Sequence, residues 1–259
     1  MAGKVFDFMK IRTFGVGGRQ RECERLLSEK IGNSSVGELL LLPIPTTRDG
    51  KHITGDLVAL SQLVSYASAD TAVVGYGIPS DIADDIRGRG GLVFDAGEDG
   101  EFLEANADIT ARGALGWILR EMPKDAPDMK IGIIGYGRIG RRLAELLLFL
   151  GAEIVVYTTR ESLARELCAV GISARSSDWE PPEDGLDLLV NTAPARLLSP
   201  ECEARTLSSM KILDLASGKI FGENENLVKL SSIPEAFYPT SAGKVYADRI
   251  IKFLAEAER

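Results

Sequence analysis

The chain has 259 residues, 45% hydrophobic and 26% charged, with a formal net charge of −8. That length bounds one large domain or two modest ones, and the acidic balance argues against a nucleic-acid binder, which needs a basic surface to meet phosphates. Cys23, Cys168 and Cys202 are scattered with no C-x-x-C pair, so neither a zinc cage nor a disulfide framework is expected, and no apolar run approaches the ~20 residues of a membrane span.

In chain order, Lys10 to Gly18 predicts a short strand running into a glycine turn, and Arg19 to Lys30 a charged helix. Leu39 to Pro45 is a buried strand stopped by prolines. Leu57 to Ala67 has helical spacing, and "TAVVGYGIP" is a strand. "SDIADDIRGRG" is a helix capped by Ser80 and ended by glycines. "GLVFDAG" is one more strand. Glu101 to Met122 reads as one long helix or two, and "PKDAPD" (Pro123 to Asp128) then breaks it, which sets a lobe boundary.

Beyond that break, strand 130–134, helix 138–150, strand 153–157, helix 161–170 and a weak strand at 172–174 alternate. "DLLVNTAP" and "KILDLASG" are further strands, "SSIPEAF" is a short apolar patch, and a last helix runs from Ala242 to Glu258. Alternating strands and helices imply parallel pairing through right-handed crossovers. The expected fold is α/β with two Rossmann-like lobes. Residues 1–122 form a shortened flavodoxin-like or Rossmann-like substrate lobe. Residues 128–240 form an NAD(P)-binding lobe with a doubly wound parallel sheet, and helix 242–258 packs back on the first lobe.

The chemistry is concentrated in "GYGRIG". Gly135, Gly137 and Gly140 have G-x-G-x-x-G spacing between an apolar strand and an apolar-striped helix. In such a turn the first glycine permits the bend, the second admits a pyrophosphate to the backbone, and the third lets helix and strand pack closely. Tyr136 belongs to the turn, and the N–H groups of Arg138 and Ile139 would point at the phosphate. The second strand ends at Thr158, Thr159 and Arg160, where an NAD site places a carboxylate on the ribose hydroxyls. Two hydroxyls and a guanidinium suit a 2′-phosphate, so NADP is expected over NAD. NAD becomes the choice if Glu161 faces the ribose instead. The turns Asn191-Thr192-Ala193-Pro194 and Leu215-Ala216-Ser217-Gly218 follow later strands and should line the nicotinamide half.

No catalytic acid or base is evident. The chain has one histidine, His52, read as a solvated loop residue with no orienting carboxylate. Alcohol–ketone chemistry therefore lacks its usual acid, whereas a hydride transfer that ends in an aromatic ring can release its proton to water.

Several stretches together resemble the dipicolinate synthase A family from sporulating bacteria. They are "GGRQ" (Gly17 to Gln20), "LLLPIPTT" (Leu40 to Thr47), and Asn106, Thr110 and Gly113 in "NADITARG". "IGYGRIG", "GAEIVVYTTR" with Arg160, "VNTAP", "ILDLASG" and "TSAGKVYA" complete the series. The resemblance implies oxidation of a dihydrodipicolinate-type ring, or of its hydroxylated precursor, to pyridine-2,6-dicarboxylate with NADP⁺. It implies, for a partner, a flavoprotein-like B subunit. It also implies donors for a small dicarboxylate in an interlobe cleft: Thr46, Thr47, Asn106 and Thr110, with Ser217, Ser241 and Lys244 from the facing side. A homo-oligomer in the cytoplasm is expected. The rival expectations are a 2-hydroxyacid or shikimate-type dehydrogenase, in which His52 would matter, and a catalytically idle NADP-binding sensor or scaffold.

Overall fold

Each strand-helix run of the sequence builds a parallel sheet of its own. The computed structural model describes residues 9–32, 34–176, 185–217 and 221–257, so Gly218, Glu258 and the first eight residues of the first lobe fall outside the described set. The chain divides into two compact units, Met1–Asn106 with Pro234–Arg259, and Ala107–Ile233. The first division thus falls inside a helix, upstream of the Pro123 to Asp128 break.

In unit 1, β1 (Lys10–Thr13), β2 (Glu38–Leu41), β3 (Thr71–Gly75) and β4 (Leu92–Asp95) form a parallel sheet in that order. Every residue of β3 is buried, as an apolar strand covered on both faces should be. One face carries α1 (Gly18–Lys30), the start of α4 (Gly100–Glu121) and α9 (Pro239–Ala257). Their Cys23, Leu27, Phe102, Tyr246 and Ile250 pack on Leu39, Leu41 and Val74. The other face carries α2 (Leu60–Tyr66) and α3 (Ser80–Gly88), whose Leu60, Leu63, Ala83 and Ile86 pack on Leu40, Leu42 and Val73. Burial of these side chains supplies most of the unit's stability, at about 1.5–3 kcal/mol for each large one.

The strands β1 to β4 step across the sheet in one direction, yet α1 lies on the opposite face from α2 and α3. The β1–α1–β2 crossover therefore has the opposite hand to the two that follow it, where three right-handed crossovers would share one face. Only residues 31–37 separate α1 from β2, too few for a strand beyond β1 that would restore the usual hand. As a result, the connections leave the carboxyl ends of β1 and β2 toward opposite faces.

Local chemistry explains the ends of the elements. Ser80 is not the cap expected of it: Pro79 takes the N-cap position of α3. The bend before it is held instead by Asp95, whose carboxylate accepts the N–H groups of Gly77 and Ile78 at 2.8 and 2.7 Å. The helix α9 begins at Pro239, not Ala242, and is tied to α4 by Arg249, which pairs with Asp99 at 2.8 Å and with Glu101. The stretch read from Glu101 to Met122 forms one helix, not two, which ends at Glu121, and Leu119 on it is exposed.

In unit 2, β5 (Lys130–Ile134), β6 (Glu153–Tyr157), β7 (Ser173–Arg175), β8 (Leu188–Asn191), β9 (Lys211–Asp214) and β10 (Leu227–Lys229) form a sheet of order β10-β9-β8-β5-β6-β7. All pairs are parallel. The chain winds outward from β5 in one direction and from β8 in the other, so right-handed crossovers place the two sets of helices on opposite faces. The helices α5 (Arg138–Phe149) and α6 (Glu161–Ala169) serve the first half. In α5, Gly140, Leu143, Ala144 and Leu147 are buried, the i, i+3, i+4, i+7 stripe of an amphipathic helix. Asp108 on α4 ties α5 down through Arg142 at 2.7 Å.

The helix α7 (Pro200–Ser209) serves the second half, and neither it nor β10 was anticipated. Its start signal is nonetheless present. Ser199 caps it by accepting the Cys202 N–H at 3.1 Å, Pro200 holds the first position, and Glu201 and Glu203 lie in the first turn. Cys202 and Leu207 pack with Val155, Tyr157, Leu189 and Ile212. Replacing Ser199 by Ala should cost about 1 kcal/mol of unit 2 stability, read as a lower denaturant midpoint with unchanged slope; no shift would mean the cap is idle. The short α8 (Ile233–Phe237) returns the chain to unit 1.

Candidate functional site

The carboxyl ends of β5 and β8 flank the point where unit 2 reverses its winding, which is where open α/β sheets bind ligands. Gly135 follows β5 with a φ of +88°, a left-handed conformation that disfavours other residues. Its N–H donates to the Tyr157 carbonyl at 2.8 Å. A Cβ on Gly140 would fall on the Gly135 carbonyl oxygen and lie 2.8 Å from the Thr192 hydroxyl. Gly140 is thus required by packing. A Cβ on Gly137 would meet nothing within 4 Å, and Gly137 is the N-cap of α5 with no side-chain cap bond. The start of α5 therefore has open space beside it at Gly137, and a helix N-terminus with such a space suits a phosphate. Tyr136 is half-buried beside this turn, and burial raises its phenol pKa, with Glu145 adding to the effect. Arg138 is exposed and Ile139 half-buried in the first turn of α5.

At the end of β6 the three polar residues part company. Thr158 is buried, and its hydroxyl accepts the Arg160 N–H at 3.2 Å, so it shapes the turn. Thr159 and Arg160 are exposed. Arg160 is the N-cap of α6, while Glu161 pairs with Arg165 at 3.3 Å along the helix. Arg175, which the sequence did not single out, stands at the same corner: its carbonyl accepts the Thr158 N–H at 3.0 Å, and it is exposed.

The two remaining turns divide between interior and surface. Asn191 and Thr192 were expected to contact a ligand through amide and hydroxyl. The Asn191 side chain is instead committed to the interior. Its amide donates to Asp214 at 2.8 Å and to the Ala193 carbonyl at 3.2 Å, and its oxygen accepts the Ala193 N–H at 3.2 Å. Asp214, also buried, accepts the Ala216 N–H at 3.1 Å. The sequence reading missed this pair: each residue is the polar end of a strand, and only the register of β8 against β9 brings the two together. The Thr192 hydroxyl donates to the Ile134 carbonyl at 2.9 Å and reaches that of Gly135 at 3.3 Å, locking the glycine turn. Ala193, Leu215 and Ala216 are buried, and Pro194 and Ser217 are exposed.

The residues proposed for a dicarboxylate are scattered in role. Thr46 is fully buried, and its hydroxyl accepts the Tyr76 N–H at 2.9 Å, so it joins two strand ends and faces no solvent. The Thr47 hydroxyl lies 3.2 Å from Asp49 and accepts the Gly50 N–H at 3.0 Å. Asn106 is half-buried and Thr110 buried on α4, and Ser241 and Lys244 are exposed on α9. His52 does have an orienting carboxylate: Asp49 lies 2.8 Å from Nδ1 and also accepts the Lys51 and His52 N–H groups. The pair forms because the turn at Gly50 folds the chain back; i and i+3 in a loop carry no periodicity to announce it. These donors hold the Asp49 carboxyl far below the usual range, His52 first among them. Among the described residues, no group of three or more His, Cys, Asp or Glu is placed to hold a metal, and no helix is long and apolar enough to cross a membrane.

Residues 104–196 match the family model described as D-isomer specific 2-hydroxyacid dehydrogenase, NAD binding domain. What fold and match define is a Rossmann-like α/β architecture that, over residues 104–196, is similar to the NAD-binding domain of hydroxyacid dehydrogenases. More particularly, the chain is similar in fold to the A component of dipicolinate synthase from Bacillus subtilis (TM-score 0.77, 18% identity, 98% of this chain and 99% of that one). It is likewise similar to the same component of dipicolinate synthase from Bacillus halodurans (TM-score 0.74, 20% identity, 95% and 98%). A D-isomer specific 2-hydroxyacid dehydrogenase from Lactobacillus delbrueckii ssp. bulgaricus, in its NAD complexed form, is more distant (TM-score 0.54, 11% identity, 97% and 98%). No curated protein matches the chain by sequence. At these identities the likeness is one of fold.

Proposed function

We propose that the protein is an NADP-dependent oxidoreductase of the dipicolinate synthase A type, acting on a small dicarboxylate ring. The observation that carries this reading is the corner at the end of β6. An exposed guanidinium and hydroxyl stand there with no acidic residue on the strand end, next to a glycine turn whose second glycine is kept open. Gly135 to Gly140 would hold the pyrophosphate, Thr159 and Arg160 the 2′-phosphate, and the 192–194 and 215–217 turns the nicotinamide end. Bound nicotinamide supplies a hydride acceptor. The substrate ring loses that hydride and one proton, which water can take, and becomes aromatic. The chain's residues need only bind and orient it. The proposed partner is a second, flavoprotein-like subunit.

A second reading is favoured by one observation. The Asp49–His52 pair has the form of an oriented acid–base group, and His52 lines a cavity of ≈ 340 Å³ with Lys51, Ser61 and Asp81. Oxidation of a 2-hydroxy acid needs such a group. The two readings separate on His52→Gln. Turnover of dihydrodipicolinate, followed as pyridine absorbance, should stay within about twofold of wild type. A loss of about 100-fold or more would instead identify a proton-transfer enzyme. No NADPH-linked turnover of either substrate class, with NADPH still bound, would point to an idle sensor.

A further inference from the structure

The "GGRQ" stretch opens α1, and both of its polar side chains are buried: Arg19 is 3% exposed and Gln20 4%. A guanidinium in that position requires compensation. Its Nε is fully enclosed with no hydrogen-bond partner, and among the described residues no hydrogen bond involves any other guanidinium nitrogen. The nearest carboxylate, Glu235 on α8, has Oε2 3.7 Å from Nε. The same carboxylate accepts the Arg19 backbone N–H at 3.2 and 3.3 Å, so the guanidinium folds back over the N-terminus of α1. All three distances exceed the 2.7–2.9 Å of a good charge-assisted bond, so Glu235 is a loose occupant. Burial pulls the Arg19 pKa down, and Glu235 opposes that pull.

The place is as telling as the pairing. The helix α1 has 13 residues and no side-chain cap at Gly17. It starts where the connections leave β1 and β2 toward opposite faces, the crevice in which such sheets take ligands. A buried cation with unused donors and a helix N-terminus held only by the long Glu235 contacts converge there. We infer that Arg19, with the α1 N-terminus, is the receptor for a carboxylate of a small-molecule ligand, and that Glu235 is an internal stand-in which that carboxylate displaces. The planar fork of Arg19 would take the ligand carboxylate bidentately, with the Gln20 amide beside it. The inference rests on the proposed function only for the choice of probe.

The stand-in makes two substitutions act in opposite directions. Pyridine-2,6-dicarboxylate is titrated calorimetrically into the full chain, and NADPH is titrated into the same samples. Glu235→Gln removes the competing charge and should tighten the dicarboxylate about tenfold, whereas Arg19→Lys, which keeps the charge but loses the fork, should weaken it at least about tenfold. NADPH affinity should be unchanged in both. The inference is overturned if Glu235→Gln binds the dicarboxylate no more tightly than wild type, or takes up none at about 10 mM. It is also overturned if Arg19→Lys binds as wild type does. If Arg19→Lys fails to fold, Glu235→Gln decides alone. Failure of NADPH to bind would sink the proposed function without touching this result.

Discussion

Gly137→Ala should sharply weaken dinucleotide binding and leave unit 2 as stable as before, while Gly140→Ala should destabilise the unit itself. The two glycines lie three residues apart in one motif, and the structure separates their reasons. At Gly137 a methyl group meets nothing within 4 Å, and the backbone φ of −83° suits any residue. The methyl would occupy the space through which a pyrophosphate reaches the backbone, at a loss on the order of 2–3 kcal/mol, or about 30- to 150-fold in Kd. At Gly140 the methyl falls on a backbone carbonyl and against the Thr192 hydroxyl, neither of which is a flexible side-chain end. Relief requires moving α5 off the sheet, at a cost of roughly 1–3 kcal/mol or more. Urea denaturation and NADPH titration on both variants distinguish the effects. A Gly137→Ala protein that binds NADPH normally would show that the open space holds no phosphate.

Arg160→Ala should weaken NADPH by about 10- to 100-fold and leave NADH within about twofold. A charge-assisted pair with a phosphate is worth about 1.5–3 kcal/mol when sheltered. Arg160 is exposed, so solvent and salt trim the effect toward the lower end. Selectivity for NADPH should therefore shrink as salt is raised, in wild type but not in the variant. Folding should be unaffected, because Arg160 makes no side-chain cap bond at the start of α6. Glu161, the one acid that could have favoured NAD, is turned along its helix toward Arg165. Equal losses for both nucleotides would remove the argument for the 2′-phosphate.

The β5–α5–β6 unit was legible because each of its signals is local. An apolar run, a glycine triplet and a 3.6-residue stripe are properties of consecutive residues, and the backbone they favour is the one adopted. The helix α7 was equally local, in Ser199, Pro200 and the acids that follow, and was overlooked. What remained hidden depends on partners distant in sequence. Asn191 reads as a polar turn residue until its register against β9 brings Asp214 to it. Thr46 reads as a donor until Tyr76 takes its hydroxyl, and Arg19 reads as one charge in a charged helix until α8 and α9 enclose it.

The sequence by itself therefore determined the class of fold, the glycine turn and the polar corner after β6. Only the tertiary structure decided which polar side chains near the strand ends face outward, which hand the first crossover takes, and where unit 1 holds an underpaired cation. The physical reason is that hydrogen-bond satisfaction and burial are set by register and layering across hundreds of residues, whereas periodicity reports only the backbone of a dozen.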